Sequence, residues 1–247
     1  MPATPAWPPQ STPRLFVDQP LAEGPIRIDG PAAHYLVSVM RTKVGDPVKL
    51  FDDRSGEWLG VAASVGKRDL TLDVTTLLRE REAVPDLWLC AAPLKKGRVD
   101  WLAEKACELG VARLVPVVTR RTVVDKPNTE RLRAHMIEAA EQCGRTALPE
   151  VAEPVKLAAL LRDWPEARAL FFADETGGVS ALEAMRAHKG PAAILIGPEG
   201  GFDAEEREAI RAHPSAIGIG LGPRILRADT AAAAAVSLWM AAAGDWR

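Results

Sequence analysis

Two arginines, Arg224 and Arg227, stand just before Asp229 and Thr230 in the string GIGLGPRILRADT, which runs from Gly218 to Thr230. Guanidinium groups suit the stabilisation of an anion that develops during a reaction, because each presents a fixed charge and a planar fork of donors. Asp229 can orient such an arginine or relay a proton. Thr230 can donate a hydrogen bond or begin a helix as its N-cap. These residues follow Gly220, Leu221 and Gly222, with Ile225 and Leu226 between the arginines, so the candidate chemistry sits at a glycine-bearing turn.

A second turn of this kind lies upstream in LIGPEGGF, from Leu195 to Phe202. Ile196, Gly197, Pro198, Glu199, Gly200 and Gly201 form a loop whose glycines let backbone amides and carbonyls approach a ligand, while the proline stiffens it. Asp203 and Glu206 make an N-capping pattern directly after it. Together with Glu205 they place three acids in the first helical turn, where they repel a phosphate. No Lys-Ser/Thr pair follows the glycines, which excludes a P-loop. Neither turn reads G-x-G-x-x-G with an acid about 20 residues on, which argues against an ordinary dinucleotide-binding enzyme. A ligand without phosphate, held mainly through backbone, fits better.

The elements that must position these turns are strands and helices in alternation. Each turn follows a short apolar run, AAIL or SAIGIGL, of a length suited to a buried parallel strand. Upstream, LWLCAAP and ARLVPVVT read as strands, and KKGRVDWLAEKACELGV and TERLRAHMIEAAEQCG as helices, before ARALFFADE supplies another strand. Strand alternating with helix predicts a mainly parallel α/β sheet covered on both faces, with ligands at the carboxyl ends of its strands. Lys95, Lys96, Arg98, Arg120, Arg121 and Arg145 would then lie near that edge as a phosphate-binding rim. They fall in a stretch, 95–145, that holds 11 basic and 7 acidic residues, although the whole chain is nearly balanced at 31 against 33.

With these strings in hand, the chain resembles the bacterial methyltransferases that act on N3 of a uridine in 16S ribosomal RNA, members of the SPOUT class. The resemblance rests on IGPEGGF, LGPRILRADTAA, KKGRVDWLAEKACELGV and EAAEQCGR, in the family's order and spread over most of the chain. Asp229 stands where the family usually has Glu, so the acid is kept with a shorter reach. The resemblance implies a trefoil knot in the C-terminal domain, with S-adenosylmethionine held in the knotted loops, and a homodimer. For that chemistry Arg227 is the first catalytic candidate, then Arg224, with Asp229 to orient the arginine or relay a proton, and Ile196–Gly201, Gly220–Gly222, Ile225, Leu226 and Thr230 of the two turns are the candidates for the cofactor. Basic residues recur in the family at Lys96, Arg98 and Arg145, and polar ones at Glu104, Glu108, Glu138 and Gln142. A methyltransferase acting on tRNA or a ribose hydroxyl, and a non-catalytic RNA-binding protein, remain open alternatives.

At 247 residues the chain has room for two domains. Residues 1–13 carry five prolines and no charge and are expected to be a disordered tail. From 14 to 78, five β-rich runs and one helix, PAAHYLVSVM, predict a small barrel, which the resemblance implies is PUA-like and RNA-binding. Its candidate contacts are Arg14, Arg41 and Lys43, with His34 and Tyr35 on the helix. REREAVPD, 79–86, reads as a linker, and 87–247 as the catalytic domain. Cys90, Cys107 and Cys143 form no Cys-x-x-Cys pair, and no metal cluster is expected. No signal peptide or membrane-length apolar run is visible, so a cytoplasmic protein is expected. The Ala-rich run 230–244 should be a buried helix, in the core or against a second subunit.

Overall fold

In the computed structural model, Pro8 and residues 11–95, 97–124 and 126–246 are described. The chain divides into two compact units: 1–83 together with 140–147, and 84–139 together with 148–247. The division at 83/84 falls within the stretch read as a linker. The return of 140–147 to the first unit has no counterpart in the sequence reading. Most of the Pro-rich tail lies outside the described residues.

The first unit contains β1 (Arg14–Phe16), β2 (Gly24–Ile28), α1 (Gly30–His34), β3 (Pro47–Phe51), β4 (Glu57–Val65) and β5 (Leu70–Arg79). They form one five-stranded sheet in the order β1-β3-β4-β5-β2, antiparallel except for β1 beside β3. Alternation along the strands turns Ile26, Ile28, Val48, Leu50, Leu70, Leu72 and Val74 into one core with Ala33 and Leu36. Three register shifts between β4 and β5 bend this pair. The expected single helix is instead a short α-helix followed by a π-helical turn, Tyr35–Val39.

The 140–147 segment is held by charge. Glu57 accepts from Arg14 Nε and, at 3.0 Å, from Arg79 Nε, while Arg14 also donates to the carbonyls of Ala140, Glu141 and Arg145. Burial alone would raise the Glu57 carboxyl, but the two arginines hold it below the ordinary carboxylate value. Glu82 receives the backbone N–H groups of Thr146 and Ala147 at 2.6 and 3.0 Å.

The second unit runs β6 (Leu87–Ala91), α2 (Arg98–Glu108), β7 (Arg113–Val118), α3 (Thr129–Cys143, whose last residues belong to the first unit), β8 (Glu150–Val151), β9 (Val155–Lys156), α4 (Leu157–Arg162), β10 (Ala169–Ala173), β11 (Val179–Ser180), α5 (Ala181–Ala187), β12 (Ala192–Ile196), α6 (Ala204–Arg211), β13 (Ala216–Gly220) and α7 (Ala228–Ala242). The sheet order is β11-β13-β10-β12-β6-β7-β8, with β9 also on β7, and every described pair is parallel. All five residues of β12 are buried, as a strand covered on both faces requires. Because β13, β10 and β12 are neighbours, their carboxyl ends bring three loops together. Among the described residues, no helix is long and apolar enough to cross a membrane. Helix α7 buries Ala231, Ala232, Ala235, Val236, Trp239 and Met240 against α2, α5 and the sheet, while Ala233, Ala234, Ser237 and Leu238 are only half-buried. Burial within the chain is therefore one-sided.

Candidate functional site

A cavity of about 860 Å³ opens at the carboxyl ends of β12, β10 and β13. Ile196–Glu199, Gly201, Gly220–Gly222 and Arg224–Arg227 line it, so both glycine turns reach one space. Gly200, Asp229 and Thr230 are not among its lining residues. The third wall, Phe172 to Ser180 after β10, was missed by the sequence reading, although DETGG repeats the signature of a glycine-bearing turn after an apolar strand.

The first turn is fixed from every direction. Gly201 adopts φ +67°, which glycine takes without steric cost, and its N–H closes onto the Pro198 carbonyl at 2.8 Å. A Cβ at Gly197 would stand 3.0 Å from the Phe202 ring, so that glycine lets the aromatic fold back beneath the loop. Asp203 then caps α6, accepting from the Glu206 N–H at 2.8 Å while Glu206 returns to the Asp203 N–H at 3.2 Å. The Glu206 N–H lowers the Asp203 carboxyl below its usual value, with help from Arg120.

Three arginines read as part of a phosphate-binding rim brace this loop. Arg98 pairs with Glu199 at 2.7 Å, Arg121 donates to the Gly200 carbonyl at 2.7 Å, and Arg120 reaches Asp203 at 2.9 Å and Glu205 at 2.5 Å. The backbone N–H of Arg120 also donates to Glu206 at 2.8 Å. The strand order explains this convergence: Arg98 follows β6, Arg120 and Arg121 follow β7, and both strands lie on one side of β12. The acids of the first turn, which exclude phosphate from it, attract these side chains. Lys95 is exposed, and Lys96 lies outside the described residues.

On the third wall, Asp174 accepts from Arg211 at 2.6 and 3.0 Å and from Thr176 at 2.9 Å. Burial would raise its carboxyl, but the bonds from Arg211 and Thr176 hold it below the ordinary value. Gly178 lies so close to β13 that a Cβ there would stand 2.6 Å from the Gly218 backbone.

The second turn differs. Gly222 has φ +104°, Ile225 is 88% exposed, and Arg224 and Arg227 are both exposed on the cavity lip. Neither arginine makes an ion pair among the described residues. Asp229 pairs with neither and accepts from its neighbour Thr230 through N–H at 2.8 Å and hydroxyl at 3.4 Å. The expected Asp229–arginine pair is thus absent, because the acid serves the first turn of α7. Nor is Thr230 the N-cap: α7 starts at Ala228, and Arg227 occupies the cap position with extended backbone.

In the first unit, Arg14 is not an available RNA contact, since its side chain is 10% exposed and committed to Glu57 and three carbonyls. Arg145 is likewise buried, at 6% exposure. Arg41, at φ +57°, and Lys43 are exposed at the end of the π-helical turn. His34 is exposed, whereas Tyr35 packs against the core. Glu104 faces His135 at 3.1 Å, Glu138 lies 3.9 Å from the same ring, and Glu108 pairs with Lys105, all away from the cavity lining.

Comparison with known proteins gives these loops a context. Residues 80–240 match the family model described as RNA methyltransferase domain, and 28–75 match that described as RNA methyltransferase PUA domain. The ribosomal RNA small subunit methyltransferase E of Bacillus subtilis is 31% identical over 242 residues, covering 91% of this chain and 94% of its own. Its counterpart from Rickettsia conorii is 28% identical over 231 residues, covering 91% and 93%. A methyltransferase from Legionella pneumophila, solved in complex with the bound cofactor SAM, has a TM-score of 0.86 at 29% identity and covers 95% of this chain and 99% of that one.

Proposed function

This chain belongs to the RNA methyltransferase domain family, and from that membership we propose that it methylates N3 of a uridine in small-subunit ribosomal RNA with S-adenosylmethionine. One observation carries the reading: a cavity walled by a braced glycine turn on one side carries two exposed, unpaired arginines on its other lip.

The residues present fit the cofactor. The cavity volume is in the range that encloses a ligand of this size, and Phe172, Ile196, Phe202 and Ile219 give it apolar surface for a purine. Gly197, Gly201, Gly220 and Gly222 leave backbone edges open to the amino-acid and ribose parts. The acidic start of α6 suits a cofactor without phosphate and with a net positive charge. When bound, S-adenosylmethionine supplies an electrophilic methyl group.

The chain's own task is to make uracil N3 nucleophilic. Loss of the N3 proton leaves an imidate anion shared with O2 and O4, and a guanidinium beside either oxygen stabilises it. Arg227 is the first candidate, with Arg224 next. An arginine neutralised by a carboxylate would offer less charge to that anion, and both are unpaired. Asp229 acts through the start of α7, which sets where Arg227 leaves the helix. Of the basic residues read as RNA contacts, Arg41 and Lys43 of the first unit and Lys95 of the second are exposed and make no ion pair among the described residues.

Two architectural expectations belong to the same reading. A trefoil knot is supported by the path after β13: α7 packs on α2, β12 and β6, so the chain crosses back past β10. A homodimer is supported by the half-buried small residues Ala233, Ala234 and Ser237 along α7. A single sedimenting monomer at working concentrations would refute it.

The test of the function is mass spectrometry of 16S ribosomal RNA from cells with and without this protein. A single N3-methyluridine that disappears with the gene and returns on complementation is expected. Unchanged ribosomal RNA, or loss of a methyl group from another atom or another RNA, would overturn the assignment.

A further inference from the structure

The acids around the cavity are unequal. Asp174 is saturated by Arg211 and Thr176, Glu199 is paired with Arg98, and Asp203 and Glu206 cap α6. Glu175 lines the same cavity and has no hydrogen-bond or ionic partner among the described residues. Its carboxylate nonetheless has a defined place. A Cβ built on Gly201 would lie 3.1 Å from one carboxylate oxygen and 3.4 Å from the other, so both oxygens sit over the first turn. The Gly201 N–H does not satisfy them, because it is already given to Pro198. Gly201 therefore does two things: it permits the left-handed turn and leaves room for the carboxylate of the neighbouring loop.

A carboxylate is an acceptor with two oxygens, and two uncommitted oxygens side by side match a ligand carrying two adjacent donors. We propose that Glu175 is the group that binds the ribose of the cofactor, accepting from its vicinal 2′- and 3′-hydroxyls. This rests on the cofactor reading above. The amino-acid end also carries donors, on its ammonium. That ammonium travels with a carboxylate, however, which the uncommitted oxygens of Glu175 repel. The ribose, which has hydroxyl donors and no charge, is left to Glu175. Dinucleotide-binding sheets likewise use an acid to take a ribose hydroxyl. Here it is combined with a turn that repels phosphate.

The test is calorimetry without RNA, on the full chain and Glu175→Gln, with S-adenosylmethionine, S-adenosylhomocysteine and the 2′-deoxy and 3′-deoxy forms of S-adenosylhomocysteine. Since Glu175 has no protein partner, the variant should melt where the parent does. Glu175→Gln should weaken both parent ligands by about tenfold to a hundredfold, the range for a hydrogen bond to a charged group. For each deoxy ligand the penalty should shrink to roughly threefold to tenfold, because one of the two partner hydroxyls is already missing. No loss with the parent ligands, or an undiminished loss with both deoxy ligands, would overturn the ribose assignment while leaving the cofactor reading intact. A penalty abolished instead by a ligand lacking the α-amino group would transfer Glu175 to the ammonium and likewise overturn it. Failure of the unmodified chain to bind either parent ligand would remove the cofactor reading itself.

Discussion

The two glycine turns that share the cavity are built to opposite specifications. The turn after β12 is held by a capping box and by Arg98, Arg120 and Arg121, and its acids are paired or capping. The turn after β13 has exposed arginines without partners and an isoleucine 88% exposed. Both are glycine-rich loops at strand ends, yet only one is preorganised by the protein. A braced loop lowers the ordering cost of binding a small ligand. An unpaired guanidinium keeps its full charge for an anion that exists only in the transition state. On this view the first turn is the braced part of the cofactor site, and the arginines of the second act on the base.

The sharpest way to break the comparison is Arg227→Ala. Losing one donor aimed at the reacting anion commonly costs on the order of a hundredfold to a thousandfold in rate. Cofactor affinity should change little, and Arg227→Lys should recover only part of the rate, since an ammonium lacks the planar fork. A valine at Gly201 acts on the other side. A β-branched residue at φ +67° is strained by about 1–3 kcal/mol and would crowd Glu175. Calorimetry should therefore show cofactor affinity reduced by roughly fivefold to a hundredfold, with little effect on rate once the site is filled.

Smaller effects sharpen the picture. Arg120→Ala and Arg121→Ala each remove an exposed brace, of the kind that contributes at most about 1 kcal/mol, so cofactor affinity should fall by no more than about fivefold. If these arginines contacted RNA phosphates, each variant would instead flatten the salt dependence of RNA binding by about 0.7–0.9 in log–log slope; the expected change is none. The smallest effect concerns pH. The Asp174 carboxyl is depressed in the folded chain, so its bonds to Arg211 and Thr176 contribute stability that is present above the ordinary carboxylate value and lost as pH falls through the folded one. Urea unfolding of Asp174→Asn should show lower stability at neutral pH and a shallower decline on acidification.

What could be read from the chain beforehand was local. The Asp203–Glu206 cap is written in four consecutive residues, and the strands in runs such as AAILI, so both were found without tertiary information. The fate of the arginines was not local. Arg14 meets the carbonyls of Ala140 and Glu141 across more than 120 residues, and Arg121 meets Gly200 across 79. A cation facing RNA and a cation bracing a loop look alike until their acids and carbonyls are placed. Asp229 and Thr230 were misplaced for a different reason: helix α7 begins three residues earlier than a cap at the threonine would have it, and the acid bonds within its first turn. The 173–180 wall escaped because its two acids and a threonine resemble an ordinary surface turn, and only the strand order sets it beside the other two.

The most direct test of this division of labour is single-turnover methylation at saturating RNA and S-adenosylmethionine, measured in parallel for Arg227→Ala and Gly201→Val. Gly201→Val should approach the rate of the unmodified chain, while Arg227→Ala should remain slower by about a hundredfold or more. An Arg227→Ala defect that vanishes at saturation would contradict the proposal, because Arg227 would then serve binding or loop structure instead of the methyl-transfer step.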